Sequence, residues 1–427
     1  MSAYKRYSAY KDSGVPWLGK VPEHWGLSRF GHFLKYLGRG AETQSVVSDC
    51  GVSYVTSENL RFEAGVVSGE KKISNPERVF PSASIVVALI ASVGKVGISK
   101  SDFCTNPQVA VFDSAIDPMI SSRIIEVSYH GIASSANTSG VIPYINTTSF
   151  LKIKSPKIPL EEQAAIAAYL DRETSRIDTL IAAQCRLIGL LKEKRSALIS
   201  HAVTKGLNPD APMKDSGVPW LGDVPENWAV KRLKHLASYN DDVLSESTDP
   251  ATEIDYVDIS SVSSENGVGH IETMPFSMAP SRARRLVKAG DIIISTVRTY
   301  LKAIAYIGEK NKHVVVSTGF AAIRPKNGFG PRFAHHALHA NYFMDRVIAI
   351  SVGVSYPAVN AADLVSIEIA TPSVDEQNSI VAYLDRETAK IDALIAKTEK
   401  AIALAQERRS AIISAAVTGK IDVLEAA

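Results

Sequence analysis

The sequence predicts an α+β protein with a pseudo-two-fold internal repeat: two mixed, β-rich globular domains joined by two long antiparallel, coiled-coil-like helices. Three observations carry this. The nine residues KDSGVPWLG at 11–19 return unchanged at 214–222, and each copy leads into a variant of one phrase, VPEHW at 21–25 and VPENW at 224–228. A second block, EEQAAIAAYLDRETSRIDTLI at 161–181, returns as DEQNSIVAYLDRETAKIDALI at 375–395. Between the blocks the match fades to markers, Ser84-Ile85-Val86-Val87 against Asp291-Ile292-Ile293-Ile294, then Pro143 and Asn146 against Pro357 and Asn360. A repeat with shared ends and diverged middles is a duplicated unit whose middles serve different ends.

The boundaries follow. The first globular domain takes residues 11–157, the first long helix 158–206, a turn-rich linker (LNPDAPM) 207–213, the second domain 214–371 and the second helix 372–420. A chain of 427 residues is long enough for several separate cores. Its 45% apolar and 22% charged content is that of a folded, soluble protein.

The helices are read from periodicity. Ile166, Leu170, Ile177, Leu180, Ile181, Ile188, Leu191 and Leu198 fall mostly three or four apart. Ile380, Leu384, Ile391, Leu394, Ile395, Ile402 and Ile412 repeat the stripe, with Ala405 where the first copy has Leu191. Ser373-Val374-Asp375-Glu376 is a capping box, and Pro159 marks the matching start. Gly206 and Gly419 mark the ends. Each helix is thus far longer than its own domain requires, so the two stripes are expected to pair or to dock a partner. Ile166, Leu170, Ile177, Leu180, Ile188 and Leu191 are the candidates on the first helix; Ile380, Leu384, Ile391, Leu394 and Ile402 are those on the second. Carboxylates gather early in the first helix (Glu161, Glu162, Asp171, Glu173, Asp178) and cations late (Lys192, Lys194, Arg195, Lys205), which suits the helix dipole. The second helix carries Arg408, Arg409 and Lys420 late, so antiparallel pairing would set acid beside base.

The diverged middles read as short strands at 52–56, 85–90, 109–112, 254–259, 291–296 and 314–317, separated by Gly, Ser, Asn and Pro clusters. A helical segment is expected over 331–348.

Catalytic signatures are missing. Around Gly94-Lys95, Leu89 stands where a phosphate-binding loop needs its first glycine, and Val96 where it needs Ser or Thr. Asn106-Pro107-Gln108 lacks the second proline and the aromatic of an adenine methyltransferase tetrapeptide, and reads as a turn. Glu70-Lys71-Lys72 has no preceding Pro-Asp and reads as a charged loop, not a nuclease site. His335 and His339 are one turn apart without the glutamate of HExxH and read as helix surface. Cys50, Cys104 and Cys185 form no CxxC pair and no disulfide framework, which fits a reducing cytoplasm. No apolar run approaches the length of a membrane helix, and the first residues lack the apolar core of a secretory signal.

A formal charge of +2 does not by itself announce nucleic-acid binding, so local clusters must carry it. The first middle offers Lys71, Lys72, Arg78 and Lys95, with Asn106 and Gln108 as candidate base readers. The second offers Arg282, Arg284, Arg285 and Lys288, then Arg298, Tyr300 and Lys302, then Lys310 and Lys312. Arg and Lys hold phosphate and read guanine; Asn and Gln pair with adenine edges. The same residues also serve solubility and surface ion pairing.

The doubled and ordered set of SGVPWLG…VPEHW, PLEEQ…AYLDRET…ID and KEKRSALISHAVTKG resembles the specificity (S) subunits of type I restriction–modification systems over essentially the whole chain. That resemblance implies two target recognition domains, each reading half of a split sequence in double-stranded DNA. It implies spacer helices that act as a ruler, two modification (methyltransferase) subunits docked on the chain, and two restriction subunits in the full endonuclease. It assigns S-adenosylmethionine to the modification subunits and ATP and Mg to the restriction subunits, with no cofactor or metal on this chain. Because the two middles share little sequence, the target is expected to be asymmetric. The other class compatible with the residues is a non-catalytic two-module scaffold that organises protein partners without reading DNA. The tryptophans of the repeated phrases, Trp17, Trp25, Trp220 and Trp228, are expected to pack against their own domain or the helix ends.

Overall fold

The computed structural model describes residues 5–41, 47–48, 51–61, 65–137, 142–311 and 314–424; Cys50 and Lys312 lie outside them. The chain divides into two compact units, Met1–Cys185 with Glu399–Ala427, and Arg186–Thr398. Each unit therefore holds one globular domain and a half of each long helix.

In the first unit a five-stranded sheet has the order Leu34–Arg39, Val109–Ser114, Ile85–Ala88, Val96–Ser99, Val66–Val67, antiparallel except for the last pair. A second sheet orders Phe103–Thr105, Val52–Val55, Lys72–Ile73 and Val47–Ser48, and its first pair is parallel. The second unit repeats the scheme. Ala237–Tyr239, Phe320–Pro325, Ile292–Ser295 and Ile304–Tyr306 form one antiparallel sheet. Glu272–Pro275, Glu253–Val257, Val315–Ser317 and Ala283–Leu286 form the other. The central strands Ile85–Ala88 and Ile292–Ser295 are buried at every position, which is why they read as continuous apolar runs instead of alternating ones. The helical segment expected over 331–348 is two helices, Pro331–His339 and Asn341–Ala349, parted at Ala340, whose backbone is extended.

The long helices run Leu160–Lys205 and Val374–Val417, 46 and 44 residues. Ser373 Oγ accepts from Glu376 N at 3.3 Å, as the capping box requires. Gly206 and Gly419 take the left-handed φ of +76° and +71° beyond the ends. At Gly419 no side chain fits: a Cβ would lie 2.3 Å from Pro22 Cδ and 3.1 Å from Trp25.

Both helices contribute to both cores. In the first unit Ile166, Leu170 and Ile177 from the first helix and Ile412, Ile413, Ala416 and Val417 from the second pack with Trp25, Phe30, Phe112 and Phe150. In the second unit Ile380 and Leu384 join Ile199, Ala202, Val203 and Trp228. Ile199, Ala202 and Val203 are the repeat equivalents of Ile413, Ala416 and Val417. Each buried aliphatic side chain is worth about 1.5–3 kcal/mol, so each domain is anchored to the start of one helix and the end of the other.

The repeated nonapeptide is a repeated loop. Asp12 Oδ1 accepts from Gly14 N at 2.8 Å and Ser13 Oγ from Val15 N at 3.1 Å; Asp215 and Ser216 do the same for Gly217 and Val218 at 2.9 and 3.1 Å. The loop delivers Trp25 and Trp228, both buried, to the helix ends, while Trp220 stays 38% exposed.

Candidate nucleic-acid interface

In each unit the central strand runs out at one edge, where three loops meet. In the first unit Leu89 N donates to Gln108 O at 3.2 Å, and Leu89 O accepts from Ile145 N at 2.9 Å. In the second, Thr296 N donates to Gly319 O at 2.8 Å, and Thr296 O accepts from Val359 N at 2.9 Å. The bridges continue one residue on, Ile90 to Tyr144 and Val297 to Ala358. The next residue is left-handed in both, Ala91 at φ +62° and Arg298 at φ +49°. A residue with a side chain seldom adopts that conformation, and when it does the surroundings have imposed it. One backbone frame is thus built twice from different residues.

The edge collects part of the residue set chosen from sequence. In the first unit Asn106 and Gln108 flank the turn into Val109–Ser114, with Asn106 Oδ1 accepting from Gln108 N at 3.2 Å and Ser57 Oγ donating to Gln108 Oε1 at 3.4 Å. Lys95 closes the turn that Ala91 opens, its N donating to Ser92 O at 3.2 Å. In the second unit Arg298, Tyr300 and Lys302 occupy the equivalent turn, and Lys302 is itself left-handed at φ +49°. Lys302 Nζ meets Asp345 at 2.7 Å. Arg282 joins from the side: its carbonyl accepts from Thr318 N at 2.8 Å, while its guanidinium donates to Tyr256 and Asp258 at 3.1 and 3.2 Å. The hydrogen bond to Tyr256 and the charge of Asp258 raise the Arg282 pKa.

Other chosen residues lie elsewhere. Lys71 and Lys72 are exposed at the smaller sheet of the first unit. The Arg78 guanidinium covers the Phe80 ring at 4.9 Å, and that of Arg284 covers Phe276 at 5.0 Å. Arg285 is half-buried in the strand Ala283–Leu286, and burial lowers its pKa. Lys288 pairs with Asp242 at 2.7 Å, and Lys310 is exposed on a short turn. Along the helices Ile166, Leu170, Ile177, Ile380, Leu384 and Ile391 are buried. Ile188, Leu191 and Ile402 are half-buried, and Leu180 and Leu394 stay 50% and 52% exposed.

Two features went unread in the sequence. Val352, Val354 and Tyr356 stand open on the second unit's edge, although only the run Gly353-Val354-Ser355-Tyr356-Pro357 could have signalled a tight exposed turn. The histidines are the second correction. The His335 ring lies 5.6 Å from that of His336 and 5.9 Å from that of His339, tucked against the protein instead of lying open on a helix surface. Desolvation, aided by the neighbouring rings and by Arg332 and Arg195, lowers the His335 pKa to about 3. Among the described residues no group of three or more His, Cys, Asp or Glu side chains is placed to hold a metal ion. No described helix is long and apolar enough to cross a membrane.

A β-rich domain repeated twice, with one conserved loop frame and exchanged side chains, is the architecture of a modular reader. Residues 27–184 and 225–404 match the type I restriction modification DNA specificity domain, and the chain belongs to that family. It is 24% identical over 420 residues to the type I restriction enzyme MjaVIII specificity subunit of Methanocaldococcus jannaschii, covering 95% of this chain and 94% of that one. It is likewise 24% identical over 311 residues to the EcoBI specificity subunit of Escherichia coli, covering 69% of this chain and 65% of that one. A chain solved in work on assembly and conformational transition of the type I R-M system shares the fold at a TM-score of 0.70. That match has 17% identity and covers 94% of this chain and 99% of the other.

Proposed function

We propose that this chain is the DNA sequence-specificity subunit of a type I restriction–modification complex, each globular domain reading one half of an asymmetric bipartite target. The observation that carries the reading is the shared edge. The same backbone hydrogen bonds hold it in both units, yet Gln108 stands where the second unit has Gly319, and Ala91 where it has Arg298. A fixed frame with exchanged side chains suits two domains that must sit on duplex DNA alike and read different bases, because backbone contacts set register and base edges set identity.

The long helices set the separation of the half-sites and dock the modification subunits. Exposed leucines support this: Leu180 and Leu404 in the first unit, and their repeat equivalents Leu394 and Leu190 in the second, are 50%, 65%, 52% and 53% exposed. Apolar side chains left open at matched positions offer two like surfaces, which two copies of one partner require. On this reading two modification subunits bind, and two restriction subunits complete the endonuclease. S-adenosylmethionine belongs to the former, ATP and Mg to the latter, and the complex works in the cytoplasm. This chain supplies recognition and no catalytic group.

The test is to purify the chain with its modification partner and map methylated adenines in DNA exposed to the complex. A split motif with a fixed gap and unlike halves is expected. An assembled, active complex that marks no motif and leaves no footprint would overturn the reading and favour a scaffold that binds proteins alone.

A further inference from the structure

The loop at 352–358 in the second unit is closed and yet apolar at its tip. Val352 and Ala358 exchange two backbone hydrogen bonds, Val352 N to Ala358 O at 2.8 Å and Ala358 N to Val352 O at 3.0 Å. Gly353 makes the turn at φ +113°, a conformation other residues avoid. Thr299, buried beneath, joins Ser351 at 2.8 Å between hydroxyls and ties this loop to the turn at 298–302. A loop pinned this firmly should have apolar side chains turned inward. Instead Val354 is 100% exposed, Val352 80% and Tyr356 66%, with Tyr300 and Leu301 at 52% and 51% beside them. The Arg298 guanidinium lies 4.8 Å over the Tyr356 ring and makes no ion pair among the described residues. The segments 296–303 and 351–359 carry two cations, Arg298 and Lys302, and no acid.

We propose that Arg298, Val354 and Tyr356 form a DNA-contacting wedge of the second recognition domain, the tyrosine stacking against a base step and the guanidinium reaching phosphate. The inference rests on the proposed role as specificity subunit and assigns residues within it. A rigid apolar tip beside the Arg298 guanidinium, with Lys302 held back on Asp345, suits a surface that is anionic outside and aromatic inside, which duplex DNA is and a protein face generally is not. Arg298 keeps a left-handed backbone that Ala91 shares in the first unit, so the frame is common and the side chain is the variable. The repeat equivalent of Tyr356 is Ile142, also exposed at 55%, an apolar tip without the guanidinium. The wedge therefore belongs to one half-site and not to the other. By unstacking a step it would favour flexible pyrimidine–purine sequences there.

The experiment compares full chains assembled with their modification partner: wild type, Tyr356→Ala, Tyr356→Phe and Arg298→Asn, the last chosen because asparagine tolerates the left-handed backbone. Methylated motifs are mapped, and affinity is measured on DNA carrying both half-sites across a salt series. Tyr356→Ala is expected to weaken binding roughly 5- to 150-fold, the range for loss of one aromatic–base stack. It should also relax the motif in the second half-site alone, and Tyr356→Phe should restore most of the loss. Arg298→Asn should flatten the salt dependence by about one phosphate contact. A wild-type complex with a split motif, and variants indistinguishable from it, would overturn the wedge while leaving the specificity reading intact. Variants that lose the modification subunit but bind DNA normally once assembled would also overturn it, marking the loop as a protein contact. A wild-type complex with no split motif would bring down both readings.

Discussion

Arg409 donates to Asp178 at 2.8 Å in one unit, and its repeat equivalent Arg195 meets Asp392, the equivalent of Asp178, at 3.0 Å in the other. One pair of positions is thus used twice with the two helices exchanging roles. In each case a late cation on one helix meets an early acid on the other, which only antiparallel neighbours allow. The two pairs differ in burial: the Arg409 side chain is 10% exposed and that of Arg195 27%, while both acids are half open. Removing Asp178 takes an acid from a nearly buried guanidinium, and removing Asp392 takes one from a more open guanidinium. Asp178→Ala is expected to cost about 1–3 kcal/mol and Asp392→Ala under about 1 kcal/mol. Urea unfolding of the two variants measures the difference, and equal losses would contradict it.

Glu162 gives the second prediction. Its carboxylate accepts from Tyr7 Oη at 2.5 Å and Trp25 Nε1 at 3.1 Å and meets His24 Nε2 at 2.6 Å. Burial and the neighbouring carboxylate push the Tyr7 hydroxyl far above its ordinary pKa, so it remains a donor. In the second unit Asn227 replaces His24, and among the described residues Trp228 Nε1 has no partner and the Glu376 carboxylate accepts no hydrogen bond. Glu162→Ala should therefore cost about 2–3 kcal/mol, and Glu376→Ala under about 1 kcal/mol. Hydrogen exchange at Trp25 and Trp228 reads the two sites separately, with the indole proton of Trp25 losing protection in the first variant.

These asymmetries show what the sequence makes legible. The repeat, the long helices with their caps and the central strands are written as periodicity and exact recurrence, because burial on one or both faces forces apolar spacing. Trp25 and Trp228 are identical letters, yet Trp25 Nε1 donates to Glu162 and Trp228 Nε1 has no partner among the described residues. Glu162 also holds His24, where the second phrase has Asn227, and Tyr7, which precedes the repeated phrases. The edge frame was hidden for a similar reason. Backbone hydrogen bonds such as Leu89 to Gln108 and Thr296 to Gly319 need no particular side chain. The left-handed turn is spelled with alanine in one unit and arginine in the other, where glycine would have announced it. In sequence Arg78 and Arg284 are only members of basic clusters; packing places Phe80 and Phe276 beneath them.

The histidine cluster predicts acid sensitivity confined to the second unit. Desolvation lowers His335 to about 3 and His336 to about 4, the latter against the opposing pull of Asp385. Desolvation also lowers His339, though its hydrogen bond to Ser264 O resists. Folded pKa values below the unfolded value of about 6.5 mean that the unfolded chain binds protons first. The stability these rings contribute is therefore full above about pH 6.5 and is lost as pH falls toward the folded values of about 3 and 4. The exchange protection of Pro331–His339, relative to the intrinsic rate at each pH, should fall between about pH 6.5 and 4.5. A His335→Leu variant should lose part of that slope. Protection independent of pH over this range would refute the assignment.

The ruler role of the helices is the most demanding expectation. Their middles are the least buried stretches, so shortening there spares both cores. Deleting residues 182–188 and their repeat equivalents 396–402 removes seven from each helix. A seven-residue deletion keeps the apolar face in register to within about 20° and takes out about 10 Å of helix. At 3.4 Å per base pair that corresponds to about three base pairs of DNA. The expected complex methylates a motif with both half-sites unaltered and a gap about three base pairs shorter. Altered half-sites would show that the helices take part in base reading. An unaltered gap would show that something other than helix length fixes the separation.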